Sequence, residues 1–157
     1  MSPGSRRDHL LTADEVTELI DANFPQLHSG GKIIFVEATG PMSATVRMKL
    51  ADRIIRPGGT ISGPAMFTLA DFSVYVAILA ELGADALQAV TTNLNINFLT
   101  RPEPRDLIAR VKLLRLGRRL AVGEVELHLA DSDDIVAHAV ATYALPPPPK
   151  PKGWGWR

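Results

Sequence analysis

Residues 62–82, Ser-Gly-Pro-Ala-Met-Phe-Thr-Leu-Ala-Asp-Phe-Ser-Val-Tyr-Val-Ala-Ile-Leu-Ala-Glu-Leu, constrain the fold more than any other part of the chain. Pro64 suits the start of a helix, because its missing N–H would have no intrahelical partner there. Ser62 or Gly63 can act as the N-cap. From Ala65 onward the segment is apolar almost all the way round, whereas a surface helix shows a polar face. Such a helix is predicted to be buried, wrapped by a sheet on one side and by something else on the other. Asp71 lies in its middle, with no basic residue in the helix to pair with it. A buried lone carboxylate is costly unless it has partners or a chemical task. The structural alternative is that Asp71 faces water or bonds Ser73 or Thr68.

A chain of 157 residues with 46% hydrophobic and 22% charged residues suits one soluble globular domain. Lys+Arg and Asp+Glu balance at 17 each, so no broad basic surface points to nucleic acid. The absence of cysteine excludes disulfides, thiolate catalysis and cysteine metal sites. The N-terminus lacks the apolar core of a signal peptide. The central helix, with Asp71 and many small residues, makes a poor membrane span. A cytoplasmic protein with no membrane partner is expected.

Residues 1–10 read as loose. Thr12 to Glu15 form a capping box, with Leu11 and Val16 spaced for a hydrophobic staple. Val16, Leu19, Ile20 and Phe24 share one face of a short amphipathic helix that Pro25 ends. Residues 32–39 and 44–50 read as two strands of a hairpin broken at Gly40-Pro41, with Ala44, Val46, Met48 and Leu50 on one face. Beyond the central helix, residues 90–98 form the clearest strand. Simple alternation puts Leu94, Ile96 and Phe98 on one face, and Thr91, Asn93, Asn95 and Asn97 on the other. Asparagine is disfavoured in strands, so this run reads as an edge or solvent-facing surface. Strands at 107–116, 119–130 and 135–145 come next, with a hairpin turn at Asp131-Ser-Asp-Asp134. The expected order is helix, two strands, long helix, then a meander of about four strands. That is an α+β domain of about five to six antiparallel strands packed on one long helix. The sheet covers only part of the helix, so a second protomer is the natural cover for the rest. We divide the chain into an N-terminal segment (1–30), the main domain (31–145) and a proline-rich tail (146–157) expected to be extended and mobile.

Several chemistries are set aside by what is missing. No dinucleotide or NTP fingerprint is present, and Gly58, Gly59 and Gly63 are too sparse for a phosphate cradle. His9, His28, His128 and His138 show no zinc spacing, although His128 and His138 can lie on adjacent strands, and no metal is expected. Ser62 and Ser73 have no neighbouring histidine to act as base. What remains is Asp71, the start of its helix, and the polar residues of the 90–98 strand. A carboxylate can act as general base or nucleophile. A helix N-terminus offers unpaired N–H groups that polarise a carbonyl. Gly63 and Asp71 are about 12 Å apart along one helix axis. Acting on one reacting atom, they must come from two copies of the helix. From the residues alone, the chain offers an acyl-transfer site built by two subunits.

The segment Ser62-Gly-Pro-Ala-Met-Phe-Thr-Leu-Ala-Asp71 resembles the motif of hotdog-fold acyl-CoA thioesterases of the phenylacetate-degradation (PaaI-like) type. That motif runs roughly His-Gly-Gly, six residues, then Asp within Leu-Ala-Asp. The resemblance continues through Val90-Thr-Thr-Asn-Leu-Asn-Ile-Asn-Phe-Leu99, Arg101-Pro102, Leu116-Gly-Arg-Arg-Leu-Ala-Val122 and Val136-Ala-His-Ala-Val-Ala-Thr-Tyr143, covering about residues 31–145. It implies a long helix wrapped by an antiparallel sheet, with protomers paired edge to edge as a homodimer and tetramer formation left open. It implies hydrolysis of an acyl-CoA to free acid and CoA, with no cofactor beyond the CoA of the substrate. Asp71 would then activate water or attack the carbonyl, Gly63 would donate its backbone N–H, and Thr91 would place the water. Ser62 and Pro64 would flank the substrate, and Arg118 or Arg119 would meet the CoA phosphates. Two departures stand out: Ser62 replaces a common His, and Pro64 replaces a second Gly and removes an N–H. Arg56 lies near the place where the family often carries an amide or His. The alternatives are a non-catalytic hotdog protein that binds acyl-CoA or lipid, and a hotdog dehydratase. The latter relies on a catalytic histidine, and none lies between His28 and His128.

Overall fold

The computed structural model describes residues 9–147. Readings that fall on residues 1–8 and 148–157, the loose N-terminus and most of the proline- and tryptophan-containing tail, lie outside them. Helix α1 spans Ala13–Asn23, with the expected capping box closed in both directions. The Glu15 N–H donates to Thr12 Oγ1 at 3.1 Å, and the Thr12 N–H donates to Glu15 Oε1 at 3.0 Å. Val16 and Ile20 are buried, while Phe24 caps the helix end and leads into a short 3₁₀ turn, Pro25–His28. Strands β1 (Ile34–Gly40) and β2 (Ser43–Met48) form the predicted hairpin. Ala44, Val46 and Met48 point into the core, but Leu50 falls outside β2 and is exposed, so the expected alternation ends one position early.

Helix α2 (Gly63–Leu82) is capped by Ser62, whose Oγ accepts from the Ala65 N–H at 3.2 Å. It ends at Gly83, whose φ of 67° and ψ of −151° only glycine adopts cheaply. From Leu69 to Ala80 every residue but Asp71 is buried. The stretch Gly63–Ala86 is long and apolar enough to cross a membrane, yet 72% of its most apolar 18-residue window is buried inside the domain, as befits a core helix. Leu69, Val74, Val76, Ile78 and Leu79 are fully buried, each contributing about 1.5–3 kcal/mol.

Six antiparallel strands curve around α2 in the order β1-β2-β4-β5-β6-β3, with β3 at Val90–Phe98, β4 at Leu107–Leu116, β5 at Leu120–Leu129 and β6 at Ile135–Ala144. This is the hotdog architecture. The meander is shorter than expected: β4, β5 and β6 follow one another, but β4 pairs with β2, and β3 pairs with β6 at the far edge. The chain crosses over on α2 before laying down β3, so β3 starts a new edge of the sheet.

A second correction concerns Thr91. A bulge between Thr91 and Asn93 breaks the alternation of β3. Thr91 pairs with Tyr143 and Leu94 with Ala141, so Thr91 shares the helix-facing side with Leu94, Ile96 and Phe98. Asn93, Asn95 and Asn97 stay on the exposed outer face, where Asn95 Nδ2 donates to Asn93 Oδ1 at 3.0 Å.

The helix and sheet approach closely at Gly123 of β5. A Cβ there would lie 3.0 and 3.1 Å from the Val74 methyls and 3.3 Å from Leu113 Cδ2. Gly123→Ala is therefore expected to destabilise the domain by about 1–3 kcal/mol. Urea denaturation measures this, and an unchanged midpoint would show that the contact is not tight.

Candidate active site

Asp71 is half-buried on α2, and it is not alone. Its Oδ1 accepts from Thr91 Oγ1 at 2.7 Å and from the Tyr143 hydroxyl at 2.7 Å. The same Tyr143 hydroxyl lies 2.8 Å from the Asp71 backbone oxygen, so its single proton is shared between main chain and side chain of one residue. No donor to Oδ2 is recorded among the described residues. Neither suggested structural partner is used: Ser73 Oγ donates to the Ala70 carbonyl, and Thr68 is exposed.

Thr91 and Tyr143 are brought together by the β3–β6 register, and the bulge turns Thr91 toward the helix. The Tyr143 ring stacks on Tyr75 of α2, with centroids 6.2 Å apart. Tyr75 donates to the Leu87 carbonyl at 2.7 Å and meets the edge of Phe24. Burial, then the Asp71 charge, push the Tyr143 phenol far above the usual tyrosine range, so it remains a donor. Burial likewise raises Tyr75.

At the head of α2 the donors can be followed one by one. The Ala65 N–H is taken by Ser62 Oγ and the Met66 N–H by the Ser62 carbonyl. Pro64 has none, which leaves Gly63 as the one first-turn N–H with no acceptor recorded among the described residues. The Ser62 N–H donates to the Ile54 carbonyl at 2.8 Å, tying this end to the preceding loop. The half-exposed Phe98 ring lies over Gly63, 3.4 Å from where a Cβ would sit.

Gly63 and Asp71 do not converge within one protomer, as the helix geometry requires. Pro64, Phe67 and Thr68 are exposed between them, whereas α1 lies near the other end of α2, with the Leu11 N–H bonded to the Ala80 carbonyl. Of the aromatics on α2, Phe67 is 41% exposed, while Phe72 and Tyr75 belong to the core.

Arg118 and Arg119 are exposed in the β4–β5 turn. The Arg119 carbonyl accepts from the Leu145 N–H at 2.7 Å, which sets this turn beside the end of β6 that carries Tyr143. Arg56 instead joins Arg101, Pro57, Gly58 and Thr60 around a hollow of about 90 Å³ ahead of α2. A larger concavity of about 300 Å³ is lined by Arg110, His128 and the 131–133 turn, and Asp71 lines neither. His128 and His138 do lie on adjacent strands, but His138 pairs with Glu124 at 3.1 Å and His128 is buried against the Leu129 carbonyl. Among the described residues no group of three or more His, Asp or Glu is arranged to hold a metal.

Sequence reasoning missed Tyr143 as a site residue. Its signal was the inward alternation of Ala137, Ala139, Ala141 and Tyr143, which places one polar hydroxyl among alanines on the helix-facing side.

A family model for the thioesterase superfamily matches residues 58–136, which include Gly63, Asp71 and Thr91. A candidate thioesterase from a Silicibacter species is 40% identical, with a TM-score of 0.80 over 91% of this chain and 97% of that one. The chain belongs to the thioesterase superfamily. Zebrafish thioesterase superfamily member 2 is 25% identical, with a TM-score of 0.72 over 87% of this chain and 99% of that one. A thioesterase from Haemophilus influenzae shares the fold at 20% identity, with a TM-score of 0.73 and coverage of 87% and 92%. No curated protein matches the chain significantly. Superfamily membership supports thioester hydrolysis as the general chemistry of the site.

Proposed function

We propose that the chain hydrolyses an acyl-CoA thioester to the free acid and CoA, in the manner of the phenylacetate-degradation thioesterases, with Asp71 as general base. The observation that carries this reading is the Asp71 carboxylate, with one oxygen held by two hydroxyl donors and the other without one among the described residues. The only hydroxyl hydrogen of Thr91 is engaged in its bond to Asp71, so its oxygen can only accept from a water. A water donating to Thr91 Oγ1 and to Asp71 Oδ2 turns a lone pair toward the thioester carbonyl. As it attacks, its proton passes to Asp71, and the carbonyl oxygen gains charge that the Gly63 N–H stabilises. Collapse breaks the C–S bond, and the proton on Asp71 goes to the departing CoA sulfur.

The Gly63 donor comes from a second copy of the chain, because one helix cannot bring both groups to one atom. Exposed apolar groups on and after the free edge of β3 support this pairing: Val90 at 57%, Phe98 at 50% and Leu99 at 54%. Ser62 and Pro64 border the same opening, and Arg118 and Arg119 supply cations for the CoA phosphates.

The test is thiol release from short, medium, long and aromatic acyl-CoAs. Turnover of at least one substrate is expected. Binding without turnover across the panel would favour the non-catalytic acyl-CoA-binding protein and point to Pro64 as the missing donor.

A further inference from the structure

We propose that Tyr143 is the positioning residue of this site, holding Oδ1 of Asp71 so that Oδ2 is the single reacting oxygen. The inference deepens the reading of Asp71 as the base and rests on it. A carboxylate turns easily about its last torsion, and its two oxygens are chemically equivalent. Left free, it would present either oxygen, or neither, to a water. Here two hydroxyls from one cross-strand pair converge on the same oxygen.

The two donors are not alike. Thr91 is exposed, so water competes for its bond, whereas Tyr143 is only 4% exposed and its bond is shielded. The Tyr143 hydroxyl also reaches the Asp71 backbone oxygen, so its place is set by the helix main chain as well as by the carboxylate. Its ring is clamped by Tyr75, itself tied to the Leu87 carbonyl. The titratable groups facing the phenol are Asp71 and Tyr75, both from α2. Removing this donor must therefore leave the carboxylate held only by the exposed Thr91 bond and free to turn.

The experiment compares the parent protein with Tyr143→Phe, which keeps the ring stack and deletes only the hydroxyl. The value of kcat is expected to fall about tenfold with KM nearly unchanged, because a carboxylate free to turn presents its reacting oxygen to the water less often. In ¹³C-labelled protein at fixed pH the Asp71 carboxyl resonance should shift, because it reports the hydrogen bonds its oxygens accept. An unchanged kcat and an unmoved resonance in a folded variant would overturn the proposal. The carbon resonance needs no substrate, so it decides the matter even if no acyl-CoA is hydrolysed and the thioesterase reading fails. Tyr75 and Tyr143 are the chain's two tyrosines. Biosynthetic replacement by 3-fluorotyrosine therefore gives a second variant that keeps the hydroxyl and makes it a stronger donor. It should move the resonance in the opposite direction, and no movement would again overturn the proposal. This variant covers the case in which Tyr143→Phe does not fold.

Discussion

Asp71→Asn is expected to lower kcat by about 10²–10⁴-fold while leaving the fold intact. The reason lies in the inequality of the two carboxylate oxygens. With its amide oxygen at the Oδ1 position, asparagine still accepts from Thr91 and Tyr143, so the cross-strand pair stays satisfied. The amide nitrogen then occupies the Oδ2 position, where it is a donor and cannot take a proton from water. The loss corresponds to about 2.7–5.4 kcal/mol of transition-state stabilisation. Steady-state kinetics on the best acyl-CoA, with circular dichroism of the variant, measure both halves. Activity within a few-fold of the parent would remove Asp71 from the mechanism. A large loss accompanied by unfolding would make it a structural residue.

Gly63→Val should lower kcat/KM by about 10²–10³-fold, the usual effect of losing one oxyanion donor. The variant keeps the N–H but blocks it. A Cβ already stands 3.4 Å from the Phe98 ring, so the two methyls must displace that ring or fill the approach to the N–H. A side chain at this first helical position also crowds Pro64, because residues before proline resist the helical conformation. The second measurement mixes this variant with Asp71→Asn. If each site takes Asp71 from one subunit and Gly63 from its partner, each mixed dimer carries one intact pair. Random exchange then restores roughly a quarter of the sites. Recovery also shows that the Gly63→Val subunit is folded. No recovery after confirmed subunit exchange would place both groups of a site on one chain, contrary to the interface site proposed here.

The features the sequence determined unaided are local ones. The capping box of α1 is written in Thr12 and Glu15, which lie three residues apart and satisfy each other's backbone donors. Helix α2 announces itself through Ser62, Pro64 and an apolar run with no polar face, and the same uniformity makes Asp71 conspicuous. Strands β3 and β4 arise from β-branched and alternating residues between turn signals. The contacts that give Asp71 its chemistry are of another kind. Tyr143 lies 72 positions away, and its hydroxyl reaches the carboxylate because β6 packs on α2, while Thr91 joins it because β3 pairs with β6. Consecutive order would have put β3 beside β4, and plain alternation would have turned Thr91 outward. A helix crossover and a one-residue bulge decided otherwise. Periodicity reports which side of an element is buried, but pairing between distant strands is set by how the whole sheet closes around α2. One oxygen of Asp71 thus acquires two donors, and the other none among the described residues, through tertiary structure alone.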